Sequence, residues 1–422
     1  MKQNQKMKGV KKKNSWDYFN DWVIFLFVTL LPTQFGKHFF FPFSYISGVR
    51  VDYLSPTLYV TDILALILIV LNIKVILKTL YSKFYLPFRS PLNRGTKEGI
   101  LLFCILVINI LFSLSPPISL YWLLKIVELC GIAIIFAKKH VDEKKLLAGF
   151  LIGAAFTFGL SLMQYINKHT LQGIFYYFGE RALSLSTPGV AKASLAGTEF
   201  LRPYATFSHP NSMSGFYLLL YFFVLAYKPF SRFFLTKHTL LLLSALLIFF
   251  SFSKIAILTF LLLNTVYFLK QYTLRGCRLC AIARILTLFA VSLIFVQANT
   301  DPLTIQKRLE LLRNALDIII RFPIIGTGMG AYLVAQKDFV SRFPLFFNQP
   351  VHNIFLLYVA QLGIIGGGII GILAVKNKTR KIKQYTYVFC AVIITGLFDH
   401  YWLTLQQNMI FLAVVGGVLK LF

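Results

Sequence analysis

Acidic residues are scarce in this chain, and its polar stretches are short. It has 15 Asp and Glu against 43 Lys and Arg in 422 residues, and charged residues of both signs amount to 14%. No stretch is long and polar enough to fold separately in water. This pattern argues against a second, soluble domain.

Cysteines are also few, and they do not form a metal-binding pattern. Cys104, Cys130 and Cys390 lie in apolar runs, where cysteine packs as a small hydrophobic residue. Cys277 and Cys280 form a lone C-x-x-C in a basic loop. Because structural zinc takes four ligands, this pair alone cannot complete a zinc site, and its role stays open.

Hydrophobic residues dominate instead: they make up 57% of the chain and come in long runs. Runs of about 18 or more apolar residues are typical of transmembrane helices, whereas a soluble protein would show amphipathic periods. We therefore predict an all-α, polytopic membrane protein that forms a single integral membrane domain over residues 1–422. The runs predict twelve transmembrane helices, at about 22–31, 58–76, 99–114, 118–137, 146–166, 210–227, 238–251, 254–270, 282–297, 351–374, 385–398 and 402–421.

Two long polar loops interrupt the apolar runs, at about 167–208 and 298–350. The second loop contains a predicted helix over residues 304–320, with apolar residues on one face and charges opposite. Such a helix is expected to lie along the membrane surface. The residues of its predicted apolar face are Leu309, Leu312, Ala315 and Ile319.

The net charge of +28 suggests a nucleic-acid partner at first sight, but the distribution of charge indicates membrane topology. Most Lys and Arg fall in short segments between alternate apolar runs, as the positive-inside rule describes. We therefore predict that both termini are cytoplasmic and that the chain binds a lipid bilayer, not nucleic acid. The basic segments are residues 1–21, 74–98, 138–145, 228–237, 270–284 and 376–383.

The same topology places five polar residues together on the outer side of the membrane: Arg202, Lys254, Arg308, His352 and Asp399. His352 follows a polar loop and precedes an apolar helix, so it stands where water meets lipid. Histidine is the side chain best suited to moving a proton near neutral pH. We therefore predict that His352 accepts a hydroxyl proton at an extracytoplasmic active site.

Four other polar residues have a functional and a structural interpretation each. Asn353 either orients His352 or caps the helix that follows. Asp399 either orients a base or a sugar, or is part of a plain polar turn. Lys125 and Glu128, spaced i, i+3 within an apolar run, form either a structural ion pair or part of a proton path.

The cationic candidates are equally open when each is taken alone. Arg202 and His209 stand just before a helix that Pro210 can begin, so they are either functional or a helix start beside an interfacial charge. Lys254 lies in a tight turn between two apolar helices. It either faces water or an anion at membrane depth, or extends its ammonium group to the interface.

The second long loop adds arginines and a glycine run. Several guanidinium groups near one another, such as those of Arg308 and Arg321, suit a diphosphate because arginine binds phosphate oxygens bidentately. A solvated charged face is the alternative for any one of them. Gly326, Gly328 and Gly330 permit close backbone approach, but they follow a helix, which argues against a dinucleotide fold.

Four motifs in a fixed order connect these residues. The chain resembles the O-antigen ligase and polymerase superfamily of bacterial membrane glycosyltransferases, most strongly from about 200 to 370. The motifs are Arg202-Pro-x-Ala-Thr-Phe-x-His-Pro-Asn211, Ser251-x-Ser253-Lys254, Pro323-Ile-Ile-Gly-Thr-Gly328, and His352-Asn-x-x-Leu356 followed by Gly363-Ile-Ile-Gly366.

The resemblance implies an inverting glycosyltransferase. It would transfer a glycan from undecaprenyl diphosphate to an acceptor sugar hydroxyl, outside the cytoplasmic membrane of a bacterium, with a lipid-anchored or glycan acceptor and without metal or other cofactor. Two alternatives stay open: a polysaccharide polymerase of the same superfamily, and a transporter or flippase for anionic lipid-linked sugars. A transporter would carry its charges near the bilayer midplane, in two repeated halves.

The resemblance also assigns roles to residues. The catalytic residues it implies are His352 and Asp399, the diphosphate ligands are Arg202, Lys254, Arg308 and Arg321, and the supporting residues are His209 and Asn353. At one position this chain differs from the family pattern, and the difference weakens the case for Lys254 as a diphosphate ligand. The family often has arginine where this chain has Lys254, and lysine keeps the charge but loses the bidentate fork.

Overall fold

The architecture is known from a computed structural model. It describes residues 15–84, 94–139, 141–195, 197–275, 278–296, 303–339, 342–343, 348–376 and 385–421. Residues 1–14 of the basic segment predicted over 1–21 and Cys277 of the C-x-x-C pair lie outside the described residues.

Helices make up most of the described chain, which confirms the helical class. Each predicted helix coincides with a helical stretch, including the one predicted on the membrane surface. The helices are α1 Ser15–Leu30, α2 Val60–Leu71, α3 Ile73–Phe84, α4 Arg94–Leu111, α5 Pro116–Lys138, α6 Glu143–Asn167, α7 Pro210–Ala226, α8 Phe234–Phe250, α9 Lys254–Arg275, α10 Arg278–Val296, α11 Thr304–Arg321, α12 Tyr332–Gln336, α13 Ile354–Lys376, α14 Thr386–Gly396, α15 Tyr401–Thr404 and α16 Gln406–Val418.

The number of membrane spans is smaller by a strict measure of length and hydropathy. In the described residues, α5 and α6 can each cross a membrane, and the bent pair α2 and α3 would make a third span. Six shorter apolar helices accompany them. The twelve spans and the single domain over residues 1–422 therefore stay predictions.

Short strands correct the expectation of an all-α chain. Three antiparallel pairs form: β1 with β4, β2 with β3, and β5 with β6. They arise in polar segments that lack a helical period, where the backbone groups pair locally. The β2–β3 hairpin turns at Ser47 and Gly48, whose φ angles of 47° and 77° suit a two-residue hairpin turn. The strands are β1 Gly36–His38, β2 Tyr45–Ile46, β3 Val49–Arg50, β4 Thr57–Tyr59, β5 Lys192–Leu195 and β6 Thr198–Leu201.

One predicted helix, over residues 58–76, is broken in two. The axes of α2 and α3 are bent by 67° at Asn72. The Asn72 side-chain amide donates to Asn20 Oδ1 at 2.6 Å and to the Leu68 carbonyl at 2.8 Å. The bond to Asn20 attaches the bend to α1. The continuous apolar run over residues 58–76 therefore forms two helices and not one straight helix.

A second break lies within α13, at Gly363, whose φ is 68°. The loop over residues 323–331 inserts there, and its backbone bonds to the broken helix: Thr327 N–H donates to the Ala360 carbonyl at 2.9 Å, and Ile364 N–H donates to the Pro323 carbonyl at 2.8 Å. A Cβ on Gly363 would lie 2.1 Å from the Ile324 carbonyl oxygen. The close approach therefore requires glycine.

Asn109 on α4 fastens this loop. Its side-chain amide donates to the carbonyls of Ile325 at 2.8 Å and Gln361 at 2.9 Å, and its oxygen accepts the Met329 N–H at 2.9 Å. The Gly328 N–H also bonds to the Gln361 carbonyl. The backbone N–H groups of Thr327, Gly328 and Met329 are thus bonded within the protein, which gives this loop a structural role.

Helix α11 buries a face that overlaps the predicted one only in part: Ala315 is buried and Ile319 is partly buried, as predicted, but Leu309 and Leu312 are exposed. Leu309 is 51% exposed and Leu312 is 37% exposed. The buried positions include Leu311, Ala315 and Ile318, which are spaced equally well for a helix. Both stripes are apolar, so periodicity alone could not choose between them.

Two hydrophobic cores position the candidate site. The larger core surrounds α7, which is buried along most of its length, and includes α1, α5, α6, α8, α14 and α16. The smaller core joins residues 51–54 to α11, α12 and the start of α13. The first residues of α7, the first residues of α13 and the turn before α15 meet between these cores.

Candidate active site

His352 stands just before α13 and faces the turn that precedes α15. Its Nδ1 lies 3.4 Å from Asp399 Oδ1, and neither side chain is more than 15% exposed. Asn353 fixes the backbone between His352 and α13, because its side-chain oxygen accepts hydrogen bonds from the N–H groups of Phe355 at 2.9 Å and Leu356 at 3.0 Å. Asn353 is therefore a helix cap, the second of its two interpretations.

Asp399 accepts hydrogen bonds on both carboxylate oxygens. Besides His352, Oδ1 accepts the His400 N–H at 2.8 Å, and Oδ2 accepts the side-chain amide of Asn211 at 2.9 Å. Burial acts to raise the pKa of Asp399, but the hydrogen bond from His352 is the largest opposing cause, and the pKa lies well below its usual value. Asp399 is therefore a charged carboxylate at neutral pH.

Asn211 connects this carboxylate to a buried arginine. Its side-chain oxygen accepts a bond from Arg202 Nη2 at 2.7 Å, while Arg202 Nε donates to the Ser251 carbonyl at 2.8 Å. Burial is the largest influence on the guanidinium and lowers the pKa of Arg202 to about 10, so the group stays charged. One hydrogen-bonded network thus runs from Arg202 through Asn211 and Asp399 to His352.

Two further histidines of the site are neutral. His209 caps α7, and its Nδ1 accepts the Asn211 N–H at 3.1 Å. His400 Nδ1 lies 2.7 Å from Thr404 Oγ1, and the ring packs edge-on against Tyr53 at 5.5 Å. Burial, as the largest cause, lowers the pKa of both imidazoles to about 3. His209 therefore supports the start of a helix at neutral pH without carrying charge.

The network borders a cavity of about 230 Å³. Its wall combines residues of the segment 181–190, the start of α7, the residues around His352, and the turn at Asp399 and His400, with Tyr53 from the smaller core. A carboxylate-bound histidine therefore faces a space that a ligand can enter. This is the arrangement expected of a group that exchanges a proton with a substrate.

The structure places Arg308 near the network. It lies in the first turns of α11, half-buried, and its charge helps to lower the pKa values of Arg202, His209 and His400. Among the described residues, Arg308 makes no hydrogen bond or ion pair. Its donors are therefore available to an anion.

Lys254 and Arg321 are placed less favourably than Arg308 for binding an anion at this network. Lys254 begins α9, half-buried, three residues after the Ser251 carbonyl that holds Arg202. Arg321 ends α11, about 20 Å along the helix axis from Arg308 at 1.5 Å per residue. Its Nη1 is paired with Asp338 Oδ2 at 3.2 Å, and its side chain is 55% exposed. The structure does not bring Arg321 to the network, and its role in diphosphate binding stays a prediction.

Three residues of the site carry no strong local signal in the sequence. In the sequence, Asn211 is simply a residue at the start of a helix, and His400 is the second residue of a polar turn. Arg181 is one of several cations in a long loop. Contacts such as the one between Asn211 and Asp399 join residues 188 positions apart. The His-Pro-Asn motif is the signal that would have directed attention to Asn211.

The alternative function of this cluster is to bind a metal ion. His352, Asp399 and His400 each offer one ligand atom, and these atoms lie within 4.8 Å of one another. However, both Asp399 oxygens already accept hydrogen bonds, and Arg202 and Arg308 would repel a cation nearby. The donor set therefore favours hydrogen bonding over metal binding.

Comparison with known proteins agrees with this geometry. Residues 239–371 match the family described as O-antigen ligase, and the match includes Lys254, Arg308 and His352. Arg202 and Asp399 lie outside the matched segment. No curated protein matches the chain. Together with the apolar helices, the family indicates a bacterial inner-membrane protein with an O-antigen ligase or polymerase type of function. The match over residues 239–371 confirms the resemblance to the O-antigen ligase superfamily seen in the motifs.

Proposed function

We propose that the protein transfers a glycan from undecaprenyl diphosphate to the hydroxyl of an acceptor sugar, as an O-antigen ligase does. The observation that carries this proposal is the pairing of His352 with Asp399 at the wall of a cavity, in a chain that matches the O-antigen ligase family over residues 239–371. A hydroxyl that attacks a glycosyl diphosphate needs a proton acceptor and fixed positive charge, and both are close together here.

His352 is the proton acceptor in this mechanism. Asp399 is ionised and accepts the Nδ1–H of His352, so the lone pair of the neutral imidazole is on Nε2. As the acceptor oxygen bonds to the anomeric carbon, its proton passes to Nε2. Asp399 then stabilises the imidazolium that forms. Such general-base assistance contributes about 10²- to 10⁴-fold to a rate.

The leaving group requires the cations. When the bond between the anomeric carbon and the phosphate oxygen breaks, its electron pair stays on undecaprenyl diphosphate. Arg308 receives this charge directly, because its guanidinium is half-buried and unbonded within the described chain. Arg202 stabilises the same charge at longer range, without bonding to the diphosphate through Nε or Nη2, because those two donors already bond to Ser251 and Asn211. Lys254 adds charge without bidentate geometry.

The reaction is a single in-line displacement without a metal ion or cofactor. The base and the positive charge that a metal would supply are both present in side chains. One displacement inverts the configuration at the anomeric carbon. We place the reaction on the extracytoplasmic face, with cytoplasmic termini, because the short basic segments alternate with the segments that carry the site.

The two alternatives differ from this proposal in different ways. A polymerase would use the same chemistry and only a different acceptor, a growing glycan. A transporter would need charges deep in the membrane, and a cluster of Asp62, Lys125 and Glu128 lies within α2 and α5. Lys125 bonds to both carboxylates there, which favours a structural cluster.

The test is glycan transfer by purified protein with an undecaprenyl-diphosphate oligosaccharide in the presence of EDTA. We expect transfer by the wild-type protein, and a loss of about 10²- to 10³-fold in Arg308→Ala, the usual cost of removing one charge-stabilising donor. Arg313→Ala is the matched control, because Arg313 is exposed on the same helix. It should retain transfer within about twofold, as surface changes usually do.

Three outcomes would contradict the proposal. Loss of transfer in EDTA, with recovery on adding a divalent cation, would replace the metal-free mechanism. Equal transfer by Arg308→Ala and the wild type would remove Arg308 from the site. Movement of the lipid-linked glycan across proteoliposomes, without formation of a glycosidic bond, would favour the transporter.

A further inference from the structure

Arg181 is a cation of the cavity wall that the proposed reaction does not use. It lies in the segment 181–190, which forms much of one side of the cavity. Its side chain is 48% exposed, so the guanidinium is accessible to a ligand. Arg181 belongs to neither the network around Asp399 nor the set of cations near Arg308.

The protein partner of Arg181 is weakly held. Arg181 Nη2 lies 4.0 Å from Asp52 Oδ2, at the limit of an ion pair, and Asp52 is also 48% exposed. Arg50 Nε competes for the same carboxylate at 3.9 Å. Exposed ion pairs of this kind contribute little to stability. A ligand carboxylate can therefore replace Asp52 at small cost and form two parallel hydrogen bonds with the guanidinium.

Among the described residues, the acidic group of the cavity wall does not pair with Arg181. Asp399 is the acidic residue among those that line the cavity, and both of its oxygens accept hydrogen bonds from other residues. His209 and His400 are neutral, since burial lowers the pKa of each to about 3, and so they add no positive charge. Arg181 is therefore the group of this wall that a ligand carboxylate can approach through charge.

The remaining polar wall suits a sugar. The hydroxyl of Tyr53 and the amide of Gln349 lie around the same space, with the Ser208 and Ser212 oxygens, which can accept because these hydroxyls already donate to Gln34 and Asn408. Such groups hydrogen-bond to sugar hydroxyls, and Tyr53 adds an aromatic surface. The cavity thus combines hydroxyl-binding groups with one accessible guanidinium.

We propose that Arg181 binds the carboxylate of an acidic sugar, such as a hexuronic acid, and thereby selects acidic glycans. The identification of that sugar as part of a substrate rests on the proposed function. The other source of an anion is the donor diphosphate. Arg308, which lies near Arg202, is the residue assigned to it.

The test measures binding to the full-length protein in lipid nanodiscs by calorimetry. The probes are a phenyl β-glucuronide, the matching phenyl β-glucoside and inorganic pyrophosphate. We expect the wild type to bind the glucuronide about tenfold more tightly than the glucoside, the low end for a hydrogen bond to a charged group. Arg181→Gln should lose this preference, Arg181→Lys should keep part of it, and Arg313→Gln should match the wild type. Pyrophosphate affinity should be unchanged in Arg181→Gln.

Several results would overturn the proposal. These are equal affinity of the wild type for the two glycosides, a preference that survives in Arg181→Gln, and no measurable binding of either glycoside. A loss of pyrophosphate affinity in Arg181→Gln, with the glucuronide unaffected, would reassign Arg181 to the diphosphate. Failure of glycan transfer, with the glucuronide preference intact, would remove the proposed function and support the binding site alone.

Discussion

In the part of the chain that the structure describes, two clusters of buried charge can be compared, and they differ in whether a ligand can reach them. In the deep cluster, Lys125 Nζ lies 2.6 Å from Asp62 Oδ2 and 3.3 Å from Glu128 Oε2, and all three side chains are less than 10% exposed. In the outer cluster, His352 is bonded to Asp399 and faces a cavity.

The difference shows that a buried charge is not by itself a functional site. In both clusters, hydrogen bonds offset the free-energy cost of burying charge, as they must for any buried charge. Only the outer one, among the described residues, adjoins the cavity of about 230 Å³ and includes a histidine that a ligand can reach. We therefore assign catalysis to the outer cluster and stability to the deep one.

The largest expected effect is on catalysis at the outer cluster. His352→Ala should lower the rate of glycan transfer by about 10²- to 10⁴-fold, because it removes the proton acceptor. The melting temperature should stay close to that of the wild type, since His352 packs at the cavity wall. His238→Ala, a change at an exposed histidine on α8, is the control. Equal transfer by the two variants would show that His352 is not catalytic.

The deep cluster should respond in the opposite way. Lys125→Met removes the cation that is bonded to Asp62 and Glu128 and should destabilise the protein by about 3–5 kcal/mol, as loss of one partner of a buried ion pair does. Thermal unfolding in detergent measures this. The triple change Asp62→Asn, Lys125→Met and Glu128→Gln should recover much of the stability. A stable single variant that transports or transfers nothing would instead give the deep cluster a functional role.

A smaller effect is expected where the outer cluster is held together. Asn211→Ala removes one bond to Arg202 and one to Asp399. A small misplacement of a catalytic group can cost about 10²-fold in rate, so transfer should fall by about 10- to 100-fold. Because Asn211 positions Asp399, the loss should appear in kcat more than in KM. Asn167→Ala, at an exposed asparagine on α6, is the control, and an equal effect of both changes would refute the positioning role.

The smallest effect concerns pH. His209 and His400 have folded pKa values of about 3, below the usual 6.5, so below pH 6.5 the unfolded chain binds protons that the folded chain does not. Their stabilising effect is present above pH 6.5 and declines as pH falls towards 3. At pH 5.5 the loss is on the order of 1 kcal/mol for each histidine. The melting temperature of His209→Gln should therefore fall less between pH 7.5 and 5.5 than that of the wild type. An identical fall would contradict the neutral state of His209.

The positions of the helices could be predicted from the sequence because each is a continuous apolar run. The run predicted at 210–227 is α7, Pro210–Ala226, and its start follows from the proline. The bend at Asn72 and the break at Gly363 could not be predicted. Both depend on partners distant in sequence, namely Asn20 and the loop over residues 323–331.

The site was predictable to the extent that chemistry is visible in single residues. His352 and Asp399 were singled out as an imidazole and a carboxylate beside apolar runs, and the structure brings them together. Asp62 was missed as a partner of Lys125, and Asn211 as the link to Arg202, because those contacts depend on how the helices pack. Arg181 was missed because an exposed arginine in a long loop has no distinguishing pattern.

The most direct test of the central claim is the configuration of the new glycosidic bond. Glycan transfer by the wild-type protein from an α-linked undecaprenyl-diphosphate donor can be followed by NMR of the product. A single displacement with His352 as the base predicts a β-linked product, with inversion at the anomeric carbon. An α-linked product, with retention, would require a covalent intermediate or a different site and would contradict this account.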